Sequence, residues 1–261
     1  MRICVLGSGS RGNSTLVESG DTRILIDNGF SGKEIRRRLR LIDRDADTID
    51  ALLLTHEHND HIGGAGVLSR QAAVPLCANG PTFREAGPRL GKVRGRLEFG
   101  TGEPFVVGCL EIHPFAVSHD TVEPVGFVIS DGRYRFGYCT DTGKMTTLIE
   151  HHLRECDALV LESNHDPEML REGPYPPYLQ QRVRSNRGHL ANEDAGRFLA
   201  RLASRRLRHV ILAHLSETNN LPELALSCTL KHLDGHGERI GVIAACQDVP
   251  TPCIDLSFET A

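Results

Sequence analysis

The densest chemistry in the sequence is Thr55-His56-Glu57-His58-Asn59-Asp60-His61, which sets three imidazoles and a carboxylate in an H-x-H-x-D-H pattern. His56 and His58 are two residues apart, so on an extended segment they point to the same side and can reach one metal ion. Asp60 and His61 lie on the turn that follows and can face a second ion. Each ion needs further ligands from elsewhere in the chain. His119, Asp141 and His214 each follow an apolar strand by a residue or so, where loops gather at one rim of a sheet. Mixed imidazole and carboxylate donors suit two divalent ions, zinc or manganese. Two such ions close together generate a hydroxide and clamp the attacked centre, a chemistry shared by lactam, thioester and phosphodiester hydrolysis. Phosphodiester cleavage also needs a proton for the departing alkoxide, so a histidine near the metals but not bound to them is the discriminating feature.

The elements that must position these groups follow from periodicity. Short strands are expected at Ile3–Leu6, Ser14–Glu18 and Arg23–Asp27, then a helix at Lys33–Leu41 and an apolar strand, Ala51–Leu54, running straight into the histidine loop. A helix around Gly63–Arg70 precedes strands near Leu76 and Phe105 and at Leu110–Val117, Val125–Ser130 and Arg133–Tyr138. From Thr142 the pattern alternates: a helix, strand Ala158–Leu161, a Pro-rich stretch at Pro174–Pro177, helix Asn192–Ala203, strand His209–Ala213 and helix Pro222–Leu233. Two β-rich halves, each carrying helices, imply an α/β fold, a four-layer αββα sandwich in one domain over residues 1–261. Gly7-Ser8-Gly9-Ser10-Arg11-Gly12 matches the dinucleotide-binding pattern G-x-G-x-x-G, but the β-branched, polar Asn13-Ser14-Thr15 run that follows does not open a helix. Those glycines read instead as a loop approaching the site closely, or simply as a tight turn.

Bulk properties narrow the class. The chain has 261 residues and a net charge of −4, so it offers polyanions no global attraction, and any nucleic acid must meet a local basic patch. Two patches are candidates: Lys33, Arg36, Arg37, Arg38 and Arg40, and Arg182, Arg184 and Arg187, the second favoured because it flanks His189. The eight cysteines are scattered without a C-x-x-C pair, and Cys139, two residues before Asp141, reads as a buried thiol rather than a ligand. With no signal-peptide core and no long apolar run, a reduced cytoplasmic protein without membrane contact is expected; oligomeric state is not legible. His113, His151, His152, His209, His232 and His236 read as structural or surface groups.

The H-x-H-x-D-H motif, followed by a lone His, Asp and His at successive strand ends, resembles the metallo-β-lactamase superfamily over nearly the whole chain. The resemblance implies that His56, His58 and His119 hold one metal, that Asp60, His61 and His214 hold the other, and that Asp141 bridges them. Val5 to Ser14, Glu162 to Asp166, Arg187 to Asp194 and Ala213 to Ser216 resemble more finely the YycJ/WalJ-like exonuclease subgroup, which implies a 5′ to 3′ exonuclease acting on DNA. In such nucleases a glutamate orients the histidine of a Gly-His pair, so Asp60, Glu162 and His189 become the catalytic candidates; the Asn192-Glu193-Asp194 run also reads as an ordinary helix start. His165, Ser10, Asn13, Arg182, Arg184 and Arg187 are weaker substrate-binding candidates. The short interval between Asp141 and His214 leaves no room for the inserted domain of RNase J-like enzymes, and the short stretch after His214 argues against a glyoxalase II-like helical domain. A phosphodiesterase for a small or cyclic nucleotide is the alternative, and a lactonase or thioesterase stands behind it.

Overall fold

The computed structural model describes every residue except 204–205, 236–238 and 258–261, so the reading of His236 falls outside the described residues. Two seven-stranded sheets are present among them. The first takes β1 (Arg2–Gly7), β2 (Ser14–Ser19), β3 (Thr22–Ile26), β4 (Ala51–Leu53), β5 (Leu76–Asn79) and β6 (Arg96–Phe99) in chain order. The second takes β7 (Phe105–Val107), β8 (Leu110–Ala116), β9 (Val125–Ser130), β10 (Arg135–Cys139), β11 (Ala158–Glu162), β12 (His209–Ala213) and β13 (Gly241–Ala244). β14 (Ile254–Asp255) returns to pair with β1 on the first sheet. In both halves an antiparallel meander gives way to parallel strands, β3 to β6 and β10 to β13.

The inner parallel strands β4, β5, β11 and β12 are buried on both faces, which is why they read as apolar runs, whereas the edge strands β6 and β13 are partly exposed. Alternate residues still go to different layers. Ile24, Ile26, Leu53, Val160 and Ile211 enter the core between the sheets, together with Phe127, Phe136 and Tyr138. Leu25, Leu52 and Leu54 face outward onto α1 (Gly32–Arg40), α3 (Ala65–Ala72) and α4 (Gly80–Leu90), with the one-turn α2 (Asn59–Ile62) between α1 and α3 in the chain. Leu159, Leu161, Val210 and Leu212 face outward onto α5 (Thr147–Leu153) and α8 (Asn192–Leu202), and α9 (Pro222–His232) packs on α8. The result is the αββα sandwich expected from the pattern. Cys139 belongs to the outer layer with Ile149 and Leu153, away from the site.

Some elements escaped periodicity. α4 contains Gly87 and Pro88, which interrupt a helical reading, yet Asn79 caps it by accepting from Thr82 N and Pro81 sits in its first turn, where no backbone donor is needed. The Pro-rich stretch is the entry to a helix: α6 (Pro167–Glu172) and α7 (Pro177–Val183) flank it, each with proline in the first turn. No helix among the described residues is long and apolar enough to cross a membrane.

The loops at one rim interlock through close backbone contacts. A Cβ on Gly29 would lie 2.0 Å from Asp60 O, so only glycine lets this loop pass beneath the histidine loop. Gly29→Ala is therefore expected to cost ~1–3 kcal/mol of stability, as overpacked sites do, read from the midpoint of urea unfolding.

Candidate active site

Six chemistry-bearing residues follow the ends of parallel strands or of the adjoining meander: Asp27 after β3, His56 after β4, His119 after β8, Asp141 after β10, Glu162 at the end of β11 and His214 after β12. Three of them, Asp27, Asp141 and His214, adopt left-handed backbone at φ 58°, 55° and 56°. This conformation is unfavourable for a residue with a Cβ and persists only where surrounding contacts enforce it. Together with the histidine loop these residues line or underlie a cavity of about 360 Å³.

The donors converge in two groups. His56, His58 and His119 bring one nitrogen each within 4.8 Å of one another, and Asp60, His61 and His214 form a second group on the same criterion, with Asp141 reaching between them. Asp141 Oδ2 lies 3.3 Å from His61 Nε2, and its Oδ1 lies 3.3 Å from His214 Nδ1 and 3.8 Å from His119 Nε2. The far nitrogens are held by neighbours. His61 Nδ1 is 2.8 Å from Asp27 Oδ2, His119 Nδ1 is 3.1 Å from Gly188 O, and His56 Nδ1 is 2.9 Å from Thr55 Oγ1. Fixing one ring nitrogen in this way aims the other at the centre of the cluster.

Two features show that this donor set fits a pair of divalent cations. His56 Nε2 and Asp141 Oδ2 are buried without a hydrogen-bonding partner, which is costly for polar atoms that lack an ion to coordinate. The carboxylates also draw protons onto the rings. Burial disfavours a charged His214, yet Asp141, Asp60 and Glu162 outweigh it and raise the ring to about 10, and His61 rises well above its ordinary value for the same reason. Cations at the centre would supply that positive charge instead. Burial and the neighbouring rings of His61, His119 and His58 hold His56 well below its ordinary value, in the neutral form a metal requires.

Beside this cluster stands a dyad. His189 Nδ1 is 2.8 Å from Glu162 Oε1, and the same oxygen is 3.0 Å from His214 Nδ1. Glu162 is fully buried and its Oε2 accepts from the backbone of Thr142 and Leu190. Burial opposes its ionisation, but His189 and His214 win and hold it well below the usual carboxylate range. A helix, α8, does begin at Asn192 with Glu193 and Asp194 in its first turn, but Asn192 does not cap it: the N-cap is Ala191, and the Asn192 Oδ1 accepts from Ser163 Oγ and Asn220 Nδ2 instead.

The weaker candidates divide. Ser10 and Arg182 line the cavity, as do Tyr175, Leu179 and Val183, which make α7 and its entry one wall. Asn13 is buried and does not line it; its Nδ2 donates to Asp60 Oδ2 at 3.1 Å. Arg187 is directed at backbone, its Nε donating to His119 O at 3.1 Å, and Arg184 does not line the cavity either. His165 is buried beside this region, its carbonyl accepting from Asn192 N, and burial draws its ring down to about 4. Three of the five cations of the first basic patch are paired with acids, Arg37 and Arg38 with Glu34 and Arg36 with Asp45 and Asp47, and none of the five lines the cavity. Two acids were missed. Asp27 ends an apolar strand just as the ligand candidates do, and Asp120 adjoins His119, where its Oδ2 takes a 2.7 Å hydrogen bond from Arg182 Nε.

Residues 22–215 match the family model described as the Beta-lactamase superfamily domain. The chain is 37% identical to exodeoxyribonuclease WalJ of Streptococcus pneumoniae across 98% of both chains. The chain belongs to the metallo-β-lactamase superfamily. It is also 35% identical to exodeoxyribonuclease YycJ of Bacillus anthracis over 92% of each chain. The superfamily fold is seen again in YhfI from Bacillus subtilis, a solved structure that matches 96% of this chain and 99% of its own with a TM-score of 0.72 at 19% identity.

Asp27→Asn should keep the fold but weaken metal binding ~10- to 100-fold, as loss of a ligand-orienting partner does, measured by competition with a chromogenic chelator.

Proposed function

We propose that this protein is a metal-dependent 5′ to 3′ exonuclease acting on DNA. The observation that carries the reading is the His189–Glu162 dyad, a histidine placed beside the metal ligands and aligned by a buried carboxylate. A thioester expels a thiolate, which leaves without a proton, whereas a departing alkoxide needs one. Similarity to WalJ and YycJ along nearly the whole chain supports the same reading. The imidazole and carboxylate donors suit zinc or manganese, and the unbridged cysteines fit the cytoplasm. The inner core draws on both halves and β14 closes onto β1, which supports a single domain over residues 1–261.

In this reading His56, His58 and His119 hold one ion, Asp60, His61 and His214 the other, and Asp141 lies between them. When bound, the ions supply an activated water and neutralise charge on the phosphoryl group. The protein does the rest. Asn13 and Asp27 fix Asp60 and His61 before substrate arrives. Glu162 accepts a hydrogen bond from His189 Nδ1–H, leaving Nε2 as the nitrogen that delivers a proton to the leaving oxygen, and its negative charge stabilises the imidazolium that does so. Arg182 lines the cavity and gives only its Nε to Asp120, so its Nη groups can donate to a backbone phosphate on a chain whose net charge is negative. Tyr175 and Leu179 form an apolar wall that excludes water and suits a base or sugar face.

Protein loaded with zinc or manganese should release nucleotides stepwise from the 5′ end of labelled DNA, with a rate that depends on strand length and falls steeply with salt. Hydrolysis of only a small cyclic phosphodiester, with DNA and RNA intact, would refute the exonuclease reading. Asp141→Ala should lose bound metal. His189→Ala should retain metal, by elemental analysis, while its cleavage rate falls ~10²- to 10⁴-fold.

A further inference from the structure

Two cysteines far apart in the chain meet at the edge of the first sheet. β14 pairs with β1 in the register Arg2↔Asp255 and Ile3↔Ile254, and Cys4 and Cys253 are the residues that adjoin the Ile3–Ile254 pair, one on each side. Leu256 N donates to Met1 O at 2.9 Å, so Met1–Leu256 and, two residues on, Ile3–Ile254 are hydrogen-bonded sites. Beyond the pair, Thr251 N donates to Val5 O and Val5 N donates to Thr251 Oγ1, so bonds on both sides hold Cys4 and Cys253 next to each other, the closeness that a disulfide requires. Both side chains pack on the same outer face.

Their surroundings make them unequal. Cys4 is buried, and its thiol donates to Thr251 O at 3.3 Å. Cys253 is half-buried, open to a small molecule, and has Arg2 Nη2 3.1 Å from its sulfur. The facing Cys4 thiol, then the Arg2 guanidinium, draw the Cys253 thiol down to about 6 against the opposition of burial and Glu18. The facing Cys253 sulfur and burial push Cys4 far above its ordinary value. One sulfur is thus half-buried beside a guanidinium that favours its thiolate and the other is a shielded thiol next to it, the arrangement of an attacking and a resolving cysteine.

We propose that Cys4 and Cys253 form a reversible redox site that closes to a disulfide when the protein meets a peroxide. The Cys253 thiolate attacks one peroxide oxygen; the O–O bond breaks, sulfur is oxidised by two electrons, and the other oxygen leaves as water after taking a proton. The Cys253 sulfenic acid formed is then attacked by the Cys4 sulfur. The S–S bond forms as the S–O bond breaks, and the departing hydroxide takes the Cys4 proton to leave as a second water. The bond would pin a segment that braces the active-site rim. Thr251 N donates to Val5 O, and Gln247 holds Gly12 O and Arg11 N, in the loop that carries Asn13 to Asp60.

The test is hydrogen peroxide treatment of the reduced full-length protein, followed by alkylation under denaturing conditions and peptide mass spectrometry. The expected product has lost two of its eight free thiols. Its mass is about 2 Da lower before alkylation, and it yields a Cys4–Cys253 cross-linked peptide that dithiothreitol reverses. Arg2→Ala should slow cross-linking about tenfold near neutral pH by raising the Cys253 thiol, and Cys253→Ser, at a half-exposed position that tolerates the change, should abolish it. Full alkylation of Cys4 and Cys253 after the exposed Cys109 and Cys246 have been oxidised would overturn the proposal. So would oxidation of Cys253 that never links to Cys4.

Discussion

The carboxylate of Glu162 ties together the parts of this site that must not move relative to one another. Its Oε1 faces both His189 and His214, and its Oε2 accepts from Thr142, next to Asp141, and from Leu190, next to His189. A buried anion is tolerable only when its lone pairs are satisfied, and these four contacts satisfy them. One group thereby sets the orientation of a metal-ligand candidate, the turn that presents the carboxylate between the two donor groups, and the histidine proposed to supply the proton. Removing it would leave buried donors unpaired on three separate loops.

The sandwich supports this arrangement through where its strands stop. Parallel pairing of β10, β11 and β12 brings Asp141, Glu162 and His214 to the same rim, and β3 and β4 do the same for Asp27 and His56 from the other sheet. At three of these ends the backbone takes a left-handed turn without glycine, a strain of roughly 1–3 kcal/mol each that the surrounding hydrogen bonds hold in place. Thr55 and His61 hold Asp27, and Ser8 Oγ accepts from His214 N. Rigid strand termini fix donor positions far better than free loops would, which favours a metal pair bound without large rearrangement.

Much of this was legible from the sequence because buried parallel strands leave a plain trace, an apolar run ending abruptly in a His or Asp. That trace located His119, Asp141 and His214, and the αββα order followed from how runs and helices alternate. The same trace was present at Asp27 but carried no motif to single it out. Side-chain direction was not legible. Arg182 and Arg187 look equivalent in the chain, yet one faces the cavity and the other braces the His119 loop, because the distinction depends on which side of the α7–α8 connection faces the rim. Proline and glycine hid α4 and α7, since the same residues that break helices also start them. The Cys4–Cys253 contact depends on the register of one closing strand, which no local pattern encodes.

In the proposed mechanism His189 protonates the leaving oxygen while the metals are held by other residues, and leaving-group rescue separates these two roles. Cleavage of a DNA strand carrying sulfur in place of the departing bridging oxygen would be compared for the wild-type protein and His189→Ala, since a thiolate leaves without a proton. The variant's defect on natural DNA should largely disappear on the sulfur-bridged strand if His189 is the proton donor. A defect of equal size on both strands, with both metals retained, would contradict it.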